Sequence, residues 1–129
     1  MKRKTFSCGS PPYKVEAQVT LIGLDLLVAL YGGSKPHIGS VVVALPRPSL
    51  KDNKQMSSTS SVYNFLGHKD YVIAQRVAEL LSSRLNKNVV VVAGIHIDRI
   101  SKKGIAKVIE NCDKLAQKIC QNLVLVNHL

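Results

Sequence analysis

Tryptophan is absent from this chain, and all aromatic residues together make up only 5% of its 129 positions. The core must therefore be built from Val, Ile, Leu and Ala, which the 46% hydrophobic content supplies. Long apolar stretches are missing too. The run Val89–Ile97 is about half of the ~20 residues a membrane-spanning helix needs. Met1-Lys2-Arg3-Lys4 begins basic, but no apolar segment follows directly, so neither a signal peptide nor a membrane span is expected. Cysteine is scarce: Cys8, Cys112 and Cys120 form no close pair of the zinc-binding kind, and an odd count fits a reducing cytoplasm better than a disulfide scaffold. Acidic residues number 8 against 18 Lys and Arg, and no two are obviously paired for acid–base work.

The resulting formal charge of +10 attracts polyanions, acidic proteins or phosphorylated small ligands. The basic residues are scattered, with local clusters only at the N-terminus and at Lys102-Lys103, and aromatics do not alternate with them. That pattern argues against a nucleic-acid-binding stripe. No GxGxxG, P-loop or GxSxG spacing is present, and no internal repeat is visible.

Residues 1–12 read as a flexible basic arm ending in Gly9-Ser10-Pro11-Pro12, and residues 13–129 as one α+β domain. Strands are expected over Tyr13–Ile22, where Val15, Ala17, Val19 and Leu21 share a face, over Asp25–Tyr31 and over Ile38–Leu45. Their short connections predict an antiparallel meander. Residues 46–66 read as a long Ser-rich loop, part of which, near Ser60–Phe65, is able to pair as an edge strand. Gly67 is expected to open a first helix with an apolar stripe from Ile73 to Leu85. Val89–Ala93 is a β-branched run expected to be covered, or nearly so, on both faces, continued in alternation to Asp98. Ser101 is placed to cap a second helix whose stripe runs from Ile105 to Ile119, and Leu123–Val126 is a candidate last strand.

The order β-β-β-(β)-α-β-α-(β) predicts a mainly antiparallel sheet with two helices packed on one face. The other face then needs cover, which predicts a homodimer.

Glycine and histidine recur at element boundaries in Pro36-His37-Ile38-Gly39, Gly67-His68-Lys69 and Gly94-Ile95-His96-Ile97-Asp98. Element ends are where polar side chains converge on a rigid scaffold. His96 and Asp98 share a strand face, and His68 and Lys69 fall at a helix start, favourable for phosphate. Each histidine also has an ordinary structural reading as a hydrogen-bonded end residue. A metal-dependent enzyme using His37, His68 and His96, with Asp98 behind them, is a second reading. A scaffolding dimer with no small-molecule ligand is a third.

Tyr31-Gly32-Gly33…Pro36-His37-Ile38-Gly39, then Gly67-His68-Lys69-Asp70, then Ala93-Gly94-Ile95-His96-Ile97-Asp98 together resemble the LpdD-like prenylated-flavin chaperones. These include the small D subunit of gallate and other hydroxyarylic acid decarboxylases, and the resemblance runs from about Val19 to Leu115. It implies a fold similar to proteasome assembly chaperones. It also implies a non-catalytic accessory protein that binds or delivers prenylated FMN to a UbiD-type decarboxylase large subunit. On that reading Lys35, His37, His68, Lys69 and Arg99 offer positive charge to a phosphate. His96 and Asp98 orient polar ring edges, and the serine-rich loop serves as a lid or docking segment.

Overall fold

Val15, Ala17 and Val19 are completely buried while the alternating Glu16, Gln18 and Thr20 are not. This two-residue alternation makes a strand with one face on a core. The computed structural model of the chain describes residues 3–65 and 71–127, with side chains through Leu123. Its elements are β1 (Arg3–Cys8), β2 (Val15–Ile22), β3 (Asp25–Gly33), β4 (Ser40–Pro48), β5 (Met56–Asn64), α1 (Tyr71–Leu85), β6 (Val89–His96) and α2 (Lys102–Asn127). The protein is α+β: a six-stranded sheet of order β1-β2-β3-β6-β4-β5, antiparallel except for β3–β6, with both helices on one face.

The core lies between sheet and helices. Leu26, Val28 and Leu30 of β3, Val42 and Ala44 of β4, and Val89, Val91 and Ala93 of β6 point into it. From α1 come Ala74, Val77, Ala78 and Leu81, and from α2 Val108, Cys112, Leu115, Ala116, Ile119 and Leu123. These are the expected stripes. α1 stops where Asn86 takes a left-handed φ of 54°, a conformation asparagine tolerates. Ser101 caps α2 as expected, its Oγ accepting the Gly104 N–H at 3.0 Å.

Four local readings change. The first three predicted strands do not form an uninterrupted meander, because β6 enters between β3 and β4 and pairs with both. Arg3–Cys8 is not a loose arm but an edge strand in six-residue register with β2. Phe6 packs against the core, Lys4 Nζ sits 5.2 Å from the centre of its ring, and Lys118 Nζ donates to the Ser7 carbonyl at 2.9 Å. Much of the Ser-rich segment is β5, paired with β4 along nine residues. Its serines replace apolar contacts with hydrogen bonds: Ser58 Oγ donates to the Glu79 carbonyl at 3.1 Å and Ser60 Oγ to Glu79 Oε1 at 2.7 Å. Leu123–Val126 is helical, the tail of α2, because Leu123 falls four residues after Ile119 on the same stripe. On the β-branched strand β6 the core-facing Val89, Val91 and Ala93 are fully buried, while Val90 and Val92 on the other face are only half-buried. The predicted helix start at Gly67 lies outside the described residues.

Candidate functional site

β3 and β6, the one parallel pair among the described strands, end side by side with Gly33 opposite His96. Gly33 turns the chain with φ 80°, and a side chain there would run into the His96 carbonyl. Freed by that glycine, the backbone folds over the end of β6: Ser34 N–H donates to the His96 carbonyl at 2.8 Å, and Lys35 N–H to the same oxygen at 3.4 Å. The loop then crosses β6 so closely that a Cβ on Gly94 would collide with the His37 carbonyl. Gly39 N–H closes the loop on the Ala93 carbonyl at 2.8 Å. The two glycines thus place His37 against His96 with ring centres 6.2 Å apart and planes at 75°.

The side chains form a short network. His96 Nε2–H donates to Asp98 Oδ1 at 2.8 Å, and Lys35 Nζ stands 3.6 Å from Asp98 Oδ2. His37 Nδ1 lies 3.0 Å from the Lys35 carbonyl. A carbonyl only accepts, so this nitrogen carries the proton in that contact. The hydrogen bond from His96, and after it the charge of Lys35, hold the Asp98 carboxyl below its ordinary pKa. Arg99 follows in a left-handed turn of φ 54°. Tyr31 lies beside Gly94 in the sheet register; its hydroxyl donates to Glu16 Oε2 at 3.2 Å, and partial burial, then Glu16, raise its pKa.

The structure brings Lys35, His37, His96 and Asp98 together, with Arg99 next along the chain. His68 and Lys69 lie outside the described residues. The last described residue before them, Phe65, donates its N–H to the Gly39 carbonyl at this same end of the sheet. The sequence reading missed Ser34, which binds the His96 carbonyl through its backbone, and Tyr31. The signal for Tyr31 was the alternation of β3, which puts it on the face opposite Leu30.

Among the described residues no group of three His, Cys, Asp or Glu is arranged to hold a metal ion. The three-histidine set also requires His68, which is not described. With 46% of the His96 side chain exposed, 59% of Asp98 and 69% of Lys35, the cluster is a shelf rather than an enclosed pocket. A cavity of about 320 Å³ opens elsewhere, lined among others by Ser57 and Ser58 of β5, Arg76 and Glu79 of α1 and Asp113 of α2. It holds none of the predicted site residues. The shelf continues instead onto the open face of the sheet, where Val92 and Val41 lie side by side next to Gly94. Positive charge and imidazole at one end, with apolar strand surface beside them, suit a flat ligand carrying an anionic group.

The profile of a family described as "Prenylated flavin chaperone LpdD-like domain" matches residues 9–124. "Protein LpdD" of Lactiplantibacillus plantarum is 31% identical over 115 residues, which covers 89% of this chain and 81% of that protein. The fold is similar to that of a solved structure titled "Crystal Structure of a Novel Chaperone Complex for Yeast 20S Proteasome Assembly". The TM-score is 0.59 at 15% identity, covering 97% of this chain and 95% of that one. No described helix is long and apolar enough to cross a membrane.

Proposed function

Because this chain belongs to the prenylated flavin chaperone LpdD-like family, we propose that it is a non-catalytic carrier of prenylated FMN. In this reading it binds the cofactor in the cytoplasm as a homodimer and hands it to a UbiD-type hydroxyarylic acid decarboxylase. The observation that supports it is the convergence of Lys35, His37, His96 and Asp98 on an exposed shelf beside an apolar sheet face.

The residues fit such a cargo. Val41 and Val92, side by side on the open face beside the cluster, offer apolar strand surface to a planar ring system. The Asp98 carboxylate, kept ionised by His96 and Lys35, accepts from ring N–H groups, so it belongs at the ring edge and not at the phosphate. His96, donating to Asp98, fixes that carboxylate in place. Lys35, His37 and Arg99, with His68 and Lys69, supply the positive charge that a phosphate requires.

Equilibrium binding of FMN and of reduced prenylated FMN to purified protein, with metal analysis of the same sample, tests this reading. The expected result is tight binding of the prenylated form with little metal, weakened about tenfold by His96→Ala and by His68→Ala. Unchanged affinity in both variants removes these residues from the site. A stoichiometric metal without flavin binding would replace the reading with the three-histidine enzyme. A stable dimer that binds neither would make the chain a scaffold.

A further inference from the structure

The sheet has two outer edges, and they are treated differently. β1 carries Arg3 and Lys4, and Lys118 of α2 reaches across to the Ser7 carbonyl. Charged side chains of this kind keep foreign strands off an edge. β5, the other edge, runs for nine residues from Met56 to Asn64 without a charge, a proline or a break in its register. Ser49 N–H donates to the Gln55 carbonyl at 2.8 Å before the strand, and Phe65 N–H to the Gly39 carbonyl at 2.9 Å after it. In the antiparallel ladder between these two bonds, the odd-numbered residues of β5 exchange hydrogen bonds with β4. Pro46 and Pro48, which have no N–H to give, accordingly fall opposite even-numbered Ser58 and Met56. Ser58, Ser60 and Val62 therefore turn their N–H and C=O groups outward, and no described strand lies on that side.

The side chains keep this edge open. Ser58 and Ser60 fold their hydroxyls back onto Glu79 of α1, and Gln75 Nε2 donates to Ser60 Oγ at 2.9 Å, so none of them competes for the outward backbone. Toward one end Val62 is 38% exposed, and Tyr63 and Phe65 meet edge to face with ring centres 5.8 Å apart, an apolar landing. At the other end the connection between β4 and β5 folds tightly. Gln55 N–H donates to the Asp52 carbonyl at 3.0 Å and Lys54 N–H to Asp52 Oδ1 at 3.1 Å, which holds Lys51 and Lys54 beside Met56. Arg47, whose Nε donates to Thr59 Oγ1 at 2.6 Å, adds a third cation there. Among the described residues none of these three forms an ion pair. We propose that β5 is a docking edge for an extended, acidic segment of a partner protein. That segment adds a strand through the backbone of Ser58, Ser60 and Val62 and sets its carboxylates against Arg47, Lys51 and Lys54. The charge distribution selects this occupant: a second copy of β5 would bring a strand but no acid, since residues 56–65 contain neither Asp nor Glu. The docking edge does not rest on the flavin reading.

The test uses the full chain and an array of peptides matched to the nine residues of β5. Valine and threonine alternate over one half of each peptide and glutamate fills the other, in both orders, with a matched set carrying lysine for glutamate. Fluorescence anisotropy measures binding to wild type, Val62→Pro and Val62→Thr, and amide exchange is followed by NMR. Proline at this position removes only an outward N–H, a change an edge strand tolerates, and threonine keeps that N–H. Acidic peptides are expected to bind wild type and Val62→Thr and to slow exchange at the Ser58, Ser60 and Val62 amides. The Thr59 and Ser61 amides, already bonded to β4, should not change. Val62→Pro should weaken binding about tenfold, the cost of leaving one peptide carbonyl unpaired. The double variant Lys51→Glu, Lys54→Glu should bind the lysine peptides better than the glutamate ones. Absence of binding by every acidic peptide, or binding that leaves the three outward amides unprotected, would overturn the proposal. This readout on wild type decides the matter even where Val62→Pro does not fold. Equal binding of glutamate and lysine peptides to wild type would overturn the acidic occupant. Outward amides already protected in the protein alone, and released on dilution, would give the edge to a second copy and overturn it as well.

Discussion

Gly94 matters for what it lacks. The His37 carbonyl occupies the space a Cβ would need, and the obstacle is backbone, so no rotamer relieves it. Gly94→Ala should lower stability by about 1–3 kcal/mol, as overpacking does. It should also lift the 34–39 loop, weakening flavin binding more than an equal loss of stability elsewhere. Urea unfolding and binding of the same variant check both. Asp98 makes the complementary case. Its folded pKa lies below its unfolded value, so its contribution is present above the ordinary carboxylate range and lost as pH falls through the depressed value. The melting difference between wild type and Asp98→Asn should therefore be small, visible at neutral pH, erased under acid and reduced by salt, because the pair is exposed. Cys112 behaves oppositely. Burial, chiefly, pushes its thiol up to about 12, so the neutral form is the one the fold favours. Alkylation at pH 8 should label half-buried Cys8 first and leave Cys112 untouched until the protein unfolds.

At the level of elements, β1 tests how edges are held. Phe6→Ala removes its one core-facing aromatic, and a loss of about 1–3 kcal/mol is expected, below the cost of a fully buried Phe. Hydrogen exchange should then speed up in β1 and not in β3. This strand also shows where sequence reading stops. β2, β3 and α2 were legible because their periods and the Ser101 cap are local properties. β1 was hidden by the charges of Arg3 and Lys4, which suit an edge strand as well as a loose arm. β5 was hidden by serines whose hydroxyls find Glu79 on a helix that follows later in the chain. In the site, Lys35, His37, His96 and Asp98 were legible as polar residues at element ends. The closeness of His37 to Gly94 was not, since it needs β6 to lie beside β3 rather than β4 beside β3.

For the whole molecule, excess positive charge governs encounters. If the decarboxylase partner proposed above presents an acidic surface, association should slow several-fold between 50 and 300 mM salt, because the Debye length falls below ~10 Å. Stopped-flow mixing at several ionic strengths measures it, and a flat dependence would rule out steering by charge. The position of β6 has a different consequence, in time rather than in space. During synthesis β2–β3 and β4–β5 emerge as separate hairpins, and each must wait with one bare edge for the strand that joins them. The Gly33 turn has no His96 carbonyl to close on until then. A chain halted before Val89 should therefore yield two unjoined halves prone to pair with each other's copies, and cofactor binding should be the last property the nascent protein acquires.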